Sequence, residues 1–299
     1  MKLRKLFINT FFLLLISSTA LAEPKQFARK FQLDDKVGAV MIIGYQEDAA
    51  AVEKLIDLTV NEAKRIHLLL DYRNPQGDIG KLNALNDTAE VKLNEDVFTA
   101  FKAATRVAEW THGAFDVTYP SEQGDYTSYK LNEEKNTIKI KKAGLQFRFD
   151  HIEDGYIADV LVRFIYANGM KNVLVKVGNT FRGIGSSLYG PWKIQIQDDA
   201  GTYAHRALNL GIQNTGAAIV SRTQFAGNSP LIDPRSKQQI QASMRGNTVV
   251  MKEAALAQAY AYALFVLGPK DGYDHAVTLA QGKALIVDSK GTFLRTPGF

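Results

Sequence analysis

Six short segments of this 299-residue sequence hold the side chains that could do chemistry. In Gly113-Ala114-Phe115-Asp116-Val117-Thr118 a glycine turn sets a carboxylate and a hydroxyl just beyond it. Arg148-Phe149-Asp150-His151-Ile152-Glu153-Asp154-Gly155-Tyr156-Ile157-Ala158-Asp159 gathers a guanidinium, an imidazole and a dense set of carboxylates. Gly178-Asn179 follows an apolar run, Ser221 offers a hydroxyl, and Asp233-Pro234-Arg235 offers a carboxylate beside a cation. Gln258 and Tyr262 stand four apart, so a helix would aim both at one point. Each segment also has a plain structural reading: Asp116 capping a turn with Phe115 packed below it is one example.

Other chemistries are excluded. The five histidines, His67, His112, His151, His205 and His275, make no H-E-x-x-H or other close ligand pair, which argues against a dedicated zinc site. No G-x-S-x-G surrounds any serine. The glycines from Gly178 to Gly190 lack the spacing of a dinucleotide or phosphate loop and read as hairpin turns. Cysteine is absent, which removes disulfides, thiolate metal sites, thiol nucleophiles and a lipid-anchored cysteine together.

These segments must be positioned by elements whose periodicity is legible. Val37–Tyr45 reads as a buried strand, and Ala49–Leu70 as an amphipathic helix through Val52, Leu55, Ile56, Val60, Ala63, Ile66 and Leu70. The turn cluster from Asp71 to Gly77 ends that helix. A second helix spans Asn94–Thr111, a third runs from Tyr156 to Asn168 with Gly169 as its stop, and an alanine-rich fourth spans Ala254–Leu267 before Gly268-Pro269. Thr137–Phe149 alternates like an edge hairpin, Val173–Val177 is a strand, Gly183–Gln197 reads as a hairpin, and Ala284–Arg295 makes a final hairpin around Ser289-Lys290-Gly291. Short strands mixed with four helices and few βαβ units predict an α+β fold.

The N-terminus reads as a signal segment: basic Lys2, Arg4 and Lys5, an apolar stretch from Leu6 to Ser17, and an Ala20-Leu21-Ala22 cleavage site. The apolar run is shorter than the ~20 residues a spanning helix needs. The expectation is cleavage after residue 22 and a periplasmic, unanchored protein that does not insert into the membrane. Losing Lys2, Arg4 and Lys5 takes the formal charge from +5 to +2, too near neutral to imply a nucleic-acid partner. At 46% hydrophobic the chain can bury a large core.

Taken in order, these segments resemble the ApbE family of periplasmic FAD:protein FMN transferases. Thr111–Thr118, Asp154–Asp159, Val177–Asn179, Leu231–Arg235, Ala257–Gly268 and Asp78-Ile79-Gly80-Lys81-Leu82-Asn83 carry the resemblance over nearly the whole chain after residue 22. The resemblance implies an α+β, ApbE-like fold related to the T-fold, with mixed sheets, packed helices and a central cleft. Residues 23–299 would form one such domain of two intimate lobes. It implies that Ala114, Phe115, Asp116, Thr118, Arg148, Gly155, Tyr156, Gly178, Asn179, Ser221 and Asp233 border the flavin of FAD. Asp150 and Asp154 become the catalytic candidates, and Gln258 and Tyr262 fall at the family's Mg²⁺-binding positions.

This chain departs from the family pattern where charge matters. An Asp of the D-L-G-x-I-A-K-G-Y-x-x-D block is Arg148, its Lys is Asp154, and the second glycine of G-G-[DN] is Asn179. The T-S-G segment keeps only Ser221, while H-I-x-D-P-x-T-G loses its histidine at Pro230 and its glycine at Lys237. The family's metal-binding Asp and Thr are Gln258 and Tyr262, which leaves no anionic oxygen on that helix for a hard dication. The leading expectation is a catalytically degenerate member that binds FAD weakly and serves an acceptor flavoprotein or a respiratory-complex subunit. A transferase rewired through Asp116, Asp150, Glu153 and Asp154 and a non-flavin binding or assembly protein stand beside it. For Arg148, a substitute for the metal's positive charge and a solvated residue on the Thr137–Phe149 hairpin both stand.

Overall fold

Asp34, at a φ of 48° that Asp tolerates, turns strand Pro24–Leu33 (β1) back onto Lys36–Tyr45 (β2), and the pair opens the largest sheet of this computed structural model. Residues 23–196, 208–225, 230–241, 243–279 and 282–299 are described. The signal segment and Gln197 lie outside them. The remaining strands are Glu90–Lys92 (β3), Tyr129–Asn132 (β4), Thr137–Ile140 (β5), Val173–Val177 (β6), Thr180–Ile184 (β7), Trp192–Ile196 (β8), Leu208–Ile212 (β9), Thr215–Ser221 (β10), Ile232–Asp233 (β11), Gln238–Gln239 (β12), Met244–Met251 (β13), Lys283–Asp288 (β14) and Phe293–Arg295 (β15). The helices are Ala49–Leu70 (α1), Asp78–Asn83 (α2), Glu95–Trp110 (α3), Glu153–Ala167 (α4), Ala254–Leu267 (α5) and Pro269–Leu279 (α6).

Eight strands form one sheet in the order β1-β2-β6-β7-β10-β13-β14-β15, antiparallel throughout. The helices layer on one face: α1 touches β1 and β2, α4 touches β6 and β7, α5 touches β10 and β13, and α6 touches β14. The β8–β9 hairpin covers part of the other face. Val173, Val175 and Val177 join the helical core while Leu174 packs with Trp192, Ile194, Ile212 and Ala217. Strands buried on both faces read as continuous apolar runs, which is why β6 and β14 were legible without alternation. Helix α5 is buried nearly all round, packed by α3, α4, α6 and the sheet.

The α+β expectation holds, and several local expectations are corrected. Gly183–Gln197 is not a hairpin. Strand β7 pairs with β6 and β10, while Trp192–Ile196 crosses to pair with β9. Gly185 makes the exit turn at φ 59°, where a Cβ would lie 2.2 Å from Asn172 Oδ1. Thr137–Phe149 is a strand only to Ile140, and its partner β4 lies in the preceding polar stretch. Leu145, Phe147 and Phe149 do alternate inward, but the Asn83 side chain stands in for a neighbouring strand there: it accepts from Phe147 N at 2.8 Å and donates to Phe147 O at 2.9 Å. Among the described residues six α-helices replace the expected four. The Asp78 segment is α2. Helix α5 stops at Gly268 as expected, and Pro269 then opens the further helix α6, where its missing N–H costs no bond. Helix α4 starts at Glu153, three residues before the expected Tyr156.

Candidate functional site

The loop entering α4 and the turn between β1 and β2 meet at a polar cleft of about 490 Å³. Its lining includes Lys36, His67, Tyr72, Arg148, Asp150, Glu153, Asp154 and Tyr262. The helices above and the sheet below force this meeting, since α4 packs on both α1 and β6 while β2 is bonded to β6.

Lys36 is the hub. Its Nζ lies 2.9 Å from Glu153 Oε2 and 2.8 Å from Asp154 Oδ1. Burial works to lower its pKa, but the two carboxylates outweigh it and hold the ammonium above its ordinary range. Glu153 also bonds His67 Nδ1 at 2.6 Å, and His67 Nε2 faces Asp34 Oδ2 at 3.2 Å. The Glu153 bond raises the His67 pKa. Burial would raise Glu153, yet His67 and Lys36 hold it below the usual carboxylate range. Burial pushes the Asp154 carboxyl up, with Lys36 pulling against it. Gly178 at φ 53° backs this carboxylate, and a Cβ there would fall 2.4 Å from Asp154 Oδ2. The glycine is therefore required by a close approach as well as by its backbone.

A second group lines the cleft beside the first. Arg148 forms an ion pair with Asp150, and its guanidinium lies 4.2 Å from the Tyr72 ring centre and 5.6 Å from that of Tyr119. It is a cleft residue, not a solvated hairpin position. His151 stacks on Tyr262 at 4.0 Å and on Tyr119 at 5.2 Å, and burial pushes its pKa down to about 4. Arg73 bridges Asp34 Oδ2 at 2.7 Å and Asp71 Oδ1 at 2.9 Å at the rim. Asp34, His67 and Asp71 have the spacing of a cation site, and the cation beside Asp34 and Asp71 is this arginine.

Of the residues marked from sequence, Arg148, Asp150, Asp154 and Tyr262 come together in the cleft. Asp116 lies buried elsewhere, its carboxylate accepting from Thr118 N, Thr118 Oγ1 and Tyr126 N at 2.7, 2.8 and 2.7 Å. It caps a turn, and Ala114 and Phe115 pack into the core. Gly155 and Tyr156 are buried in α4, Asn179 O accepts from Ile219 N, and Ser221 Oγ meets Thr223 Oγ1 at 3.1 Å. Asp233 is held by the Arg235 guanidinium at 2.8 and 3.0 Å. Lys36, His67, Tyr72, Arg73 and Tyr119 were not marked. Their only sequence signal is residue type, because apart from the Arg73–Asp71 contact their partners are far along the chain.

The two α5 residues that the resemblance marks for a metal are already engaged. Gln258 Oε1 accepts from Gly155 N at 2.8 Å, and its Nε2 reaches Asp150 O at 3.5 Å. Tyr262 is stacked on His151 and edge-on to Phe225. With Asp154 paired to Lys36, no free anionic oxygen faces a common point, so these residues do not fit Mg²⁺.

Residues 37–286 match the family described as the ApbE family. The FAD:protein FMN transferase of Klebsiella pneumoniae is 24% identical over 269 residues, covering 77% of this chain and 75% of that protein. That of Vibrio cholerae is 24% identical over 258 residues, covering 75% and 76%. The Pseudomonas stutzeri flavinyl transferase ApbE, apo form, has the same fold, with a TM-score of 0.80 at 19% identity over 92% of this chain and 95% of that one. The flavin transferase ApbE from Vibrio cholerae gives 0.78 at 18% identity over 93% and 99%.

Proposed function

The chain belongs to the ApbE family, and from that membership we propose that it is an exported flavin-binding member that does not carry out magnesium-assisted FMN transfer. Its relatives are named FAD:protein FMN transferases, so FAD is the ligand class and a flavoprotein the partner class. The cleft supports the ligand class. Tyr72, Tyr119 and Tyr262 line it with aromatic rings suited to a heteroaromatic ligand, while Lys36 and Arg148 bring positive charge suited to phosphate oxygens. A volume of about 490 Å³ lies in the usual range for ligand pockets.

One observation carries the loss of transfer: the Gln258 carbonyl is engaged by the Gly155 N–H. Phosphoryl transfer leaves little covalent work to the protein and depends on positioned charge. A neutral amide bonded to backbone supplies none. Asp150 and Asp154 are engaged by Arg148 and Lys36, which leaves no unpaired base among the catalytic candidates. The role that remains is binding or delivering flavin to an acceptor flavoprotein or a respiratory-complex subunit. Residues 23–299 would act in it as a single domain of two lobes, in the periplasm.

The test is incubation of the purified protein with FAD, Mg²⁺ and an acceptor protein of a family transferase, read by in-gel flavin fluorescence and intact mass. The expected result is flavin retained on this chain without covalent labelling of the acceptor. An acceptor that gains the mass of FMN would establish an active transferase instead.

A further inference from the structure

We propose that Lys36 is a tethered substitute for a divalent cation: it closes the Glu153–Asp154 carboxylate pair to metal and meets the phosphate-bearing end of the ligand. The identity of that ligand rests on the flavin-binding reading above; the exclusion of metal does not.

Lys36 opens β2 directly after the Asp34–Asp35 turn, and its side chain reaches Glu153, 117 positions away, and the adjacent Asp154. Glu153 Oε1 is bonded to His67, and Asp154 Oδ2 lies close to Gly178, where an added Cβ would come within 2.4 Å of it. Both carboxylates are buried, so the space between them is bounded by the fold. A hard dication would need both oxygens at about 2.0–2.6 Å. The ammonium already stands within 2.9 Å of each, and a dication would have to displace it.

Displacement is disfavoured because Lys36 is covalently attached and has no other acidic partner among the described ion pairs. Its concentration at the site is set by the chain, whereas a free ion must bind from solution. An ammonium has three N–H donors; Glu153 Oε2 accepts one of them, while Asp154 Oδ1 lies at ion-pair distance. The donors left over belong to a side chain that lines the cleft, as Arg148 does. The pair presents two cations to a phosphate without any metal. On α5 the compensating changes match: Gln258 serves α4 and Tyr262 serves the ring stack, so neither awaits an ion.

The experiment has two arms. In the first, Mn²⁺ is titrated into wild type, Lys36→Met and Lys36→Met/Glu153→Gln/Asp154→Asn, with free ion read by electron paramagnetic resonance. Wild type should bind no Mn²⁺ at this site, Lys36→Met should gain one site, and the triple variant should lose it. In the second, FAD, FMN and riboflavin binding are read by flavin fluorescence in EDTA and in Mg²⁺. Wild-type FAD affinity should be the same in both, and Lys36→Met should weaken FAD and FMN by about tenfold while leaving riboflavin unchanged.

Wild type that binds FAD only with Mg²⁺, or binds Mn²⁺ as well as Lys36→Met does, overturns the assignment and leaves the flavin reading intact. If no flavin binds but the Mn²⁺ pattern holds, the flavin reading and the phosphate contact fall while the metal exclusion stands. Should Lys36→Met not fold, the wild-type Mn²⁺ titration and the comparison of EDTA with Mg²⁺ decide the matter by themselves.

Discussion

His151 shows how one position changes meaning between chain and fold. In the sequence it is a histidine with no nearby ligand partner; in the cleft its ring stacks on Tyr262 and Tyr119. Burial carries its pKa from 6.5 to about 4, so the fold holds the neutral ring. Stability from this group is fully present above about pH 6.5 and is lost as pH falls toward 4. Buried Asp159, pushed up to about 6, acts in the opposite sense, losing stability as pH rises from 3.8 toward 6. The difference between wild type and His151→Phe isolates the imidazole. Urea midpoints measured from pH 7 to pH 4 should fall less steeply in His151→Phe, and parallel curves would refute the buried neutral ring. At this scale Asp154 and Tyr262 were readable as cleft residues from motif position. Asp116 was readable only as one of two things, and three hydrogen bonds decide for the turn cap.

Helices α4 and α5 explain the Gly-Tyr-x-x-Asp part of the central motif without invoking a ligand. Asp159 accepts from Ala254 N at 3.0 Å and Ala255 N at 2.9 Å, capping the start of α5, and pairs with Arg182 at 3.0 Å. Gly155 lets the two helices touch, since a Cβ there would meet Ala254 O at 2.3 Å. Gln258 returns the bond by accepting from Gly155 N. This junction places the loop bearing Asp150 and His151 against Tyr262. Gly155→Ala should therefore destabilise by about 1–3 kcal/mol through overpacking and also perturb the ring stack. Chemical denaturation with near-ultraviolet circular dichroism measures both, and an unchanged midpoint would show that the helices can part freely. The helices α1, α3 and α5 were legible because their apolar spacing is local. Strands β1, β10 and β13 were not, because a strand in a sheet is defined by neighbours that the local pattern does not name.

For the whole molecule, the antiparallel sheet with helices on one face sets the cleft where β2, α1, α4 and α5 converge, and no described helix is long and apolar enough to cross a membrane. The proposed export is tested at the first residues: protein recovered from an osmotic-shock fraction should begin at Glu23 by intact mass, and retention of Met1–Ala22 would contradict cleavage. The sequence by itself determined the α+β class and the family, since composition, motif order and residue identity are properties of the chain. Only the tertiary structure decided which of the marked residues share a cavity. It also revealed that Lys36 joins Glu153 and Asp154, because that contact spans 117 residues and is made by sheet pairing and helix packing that no local pattern records.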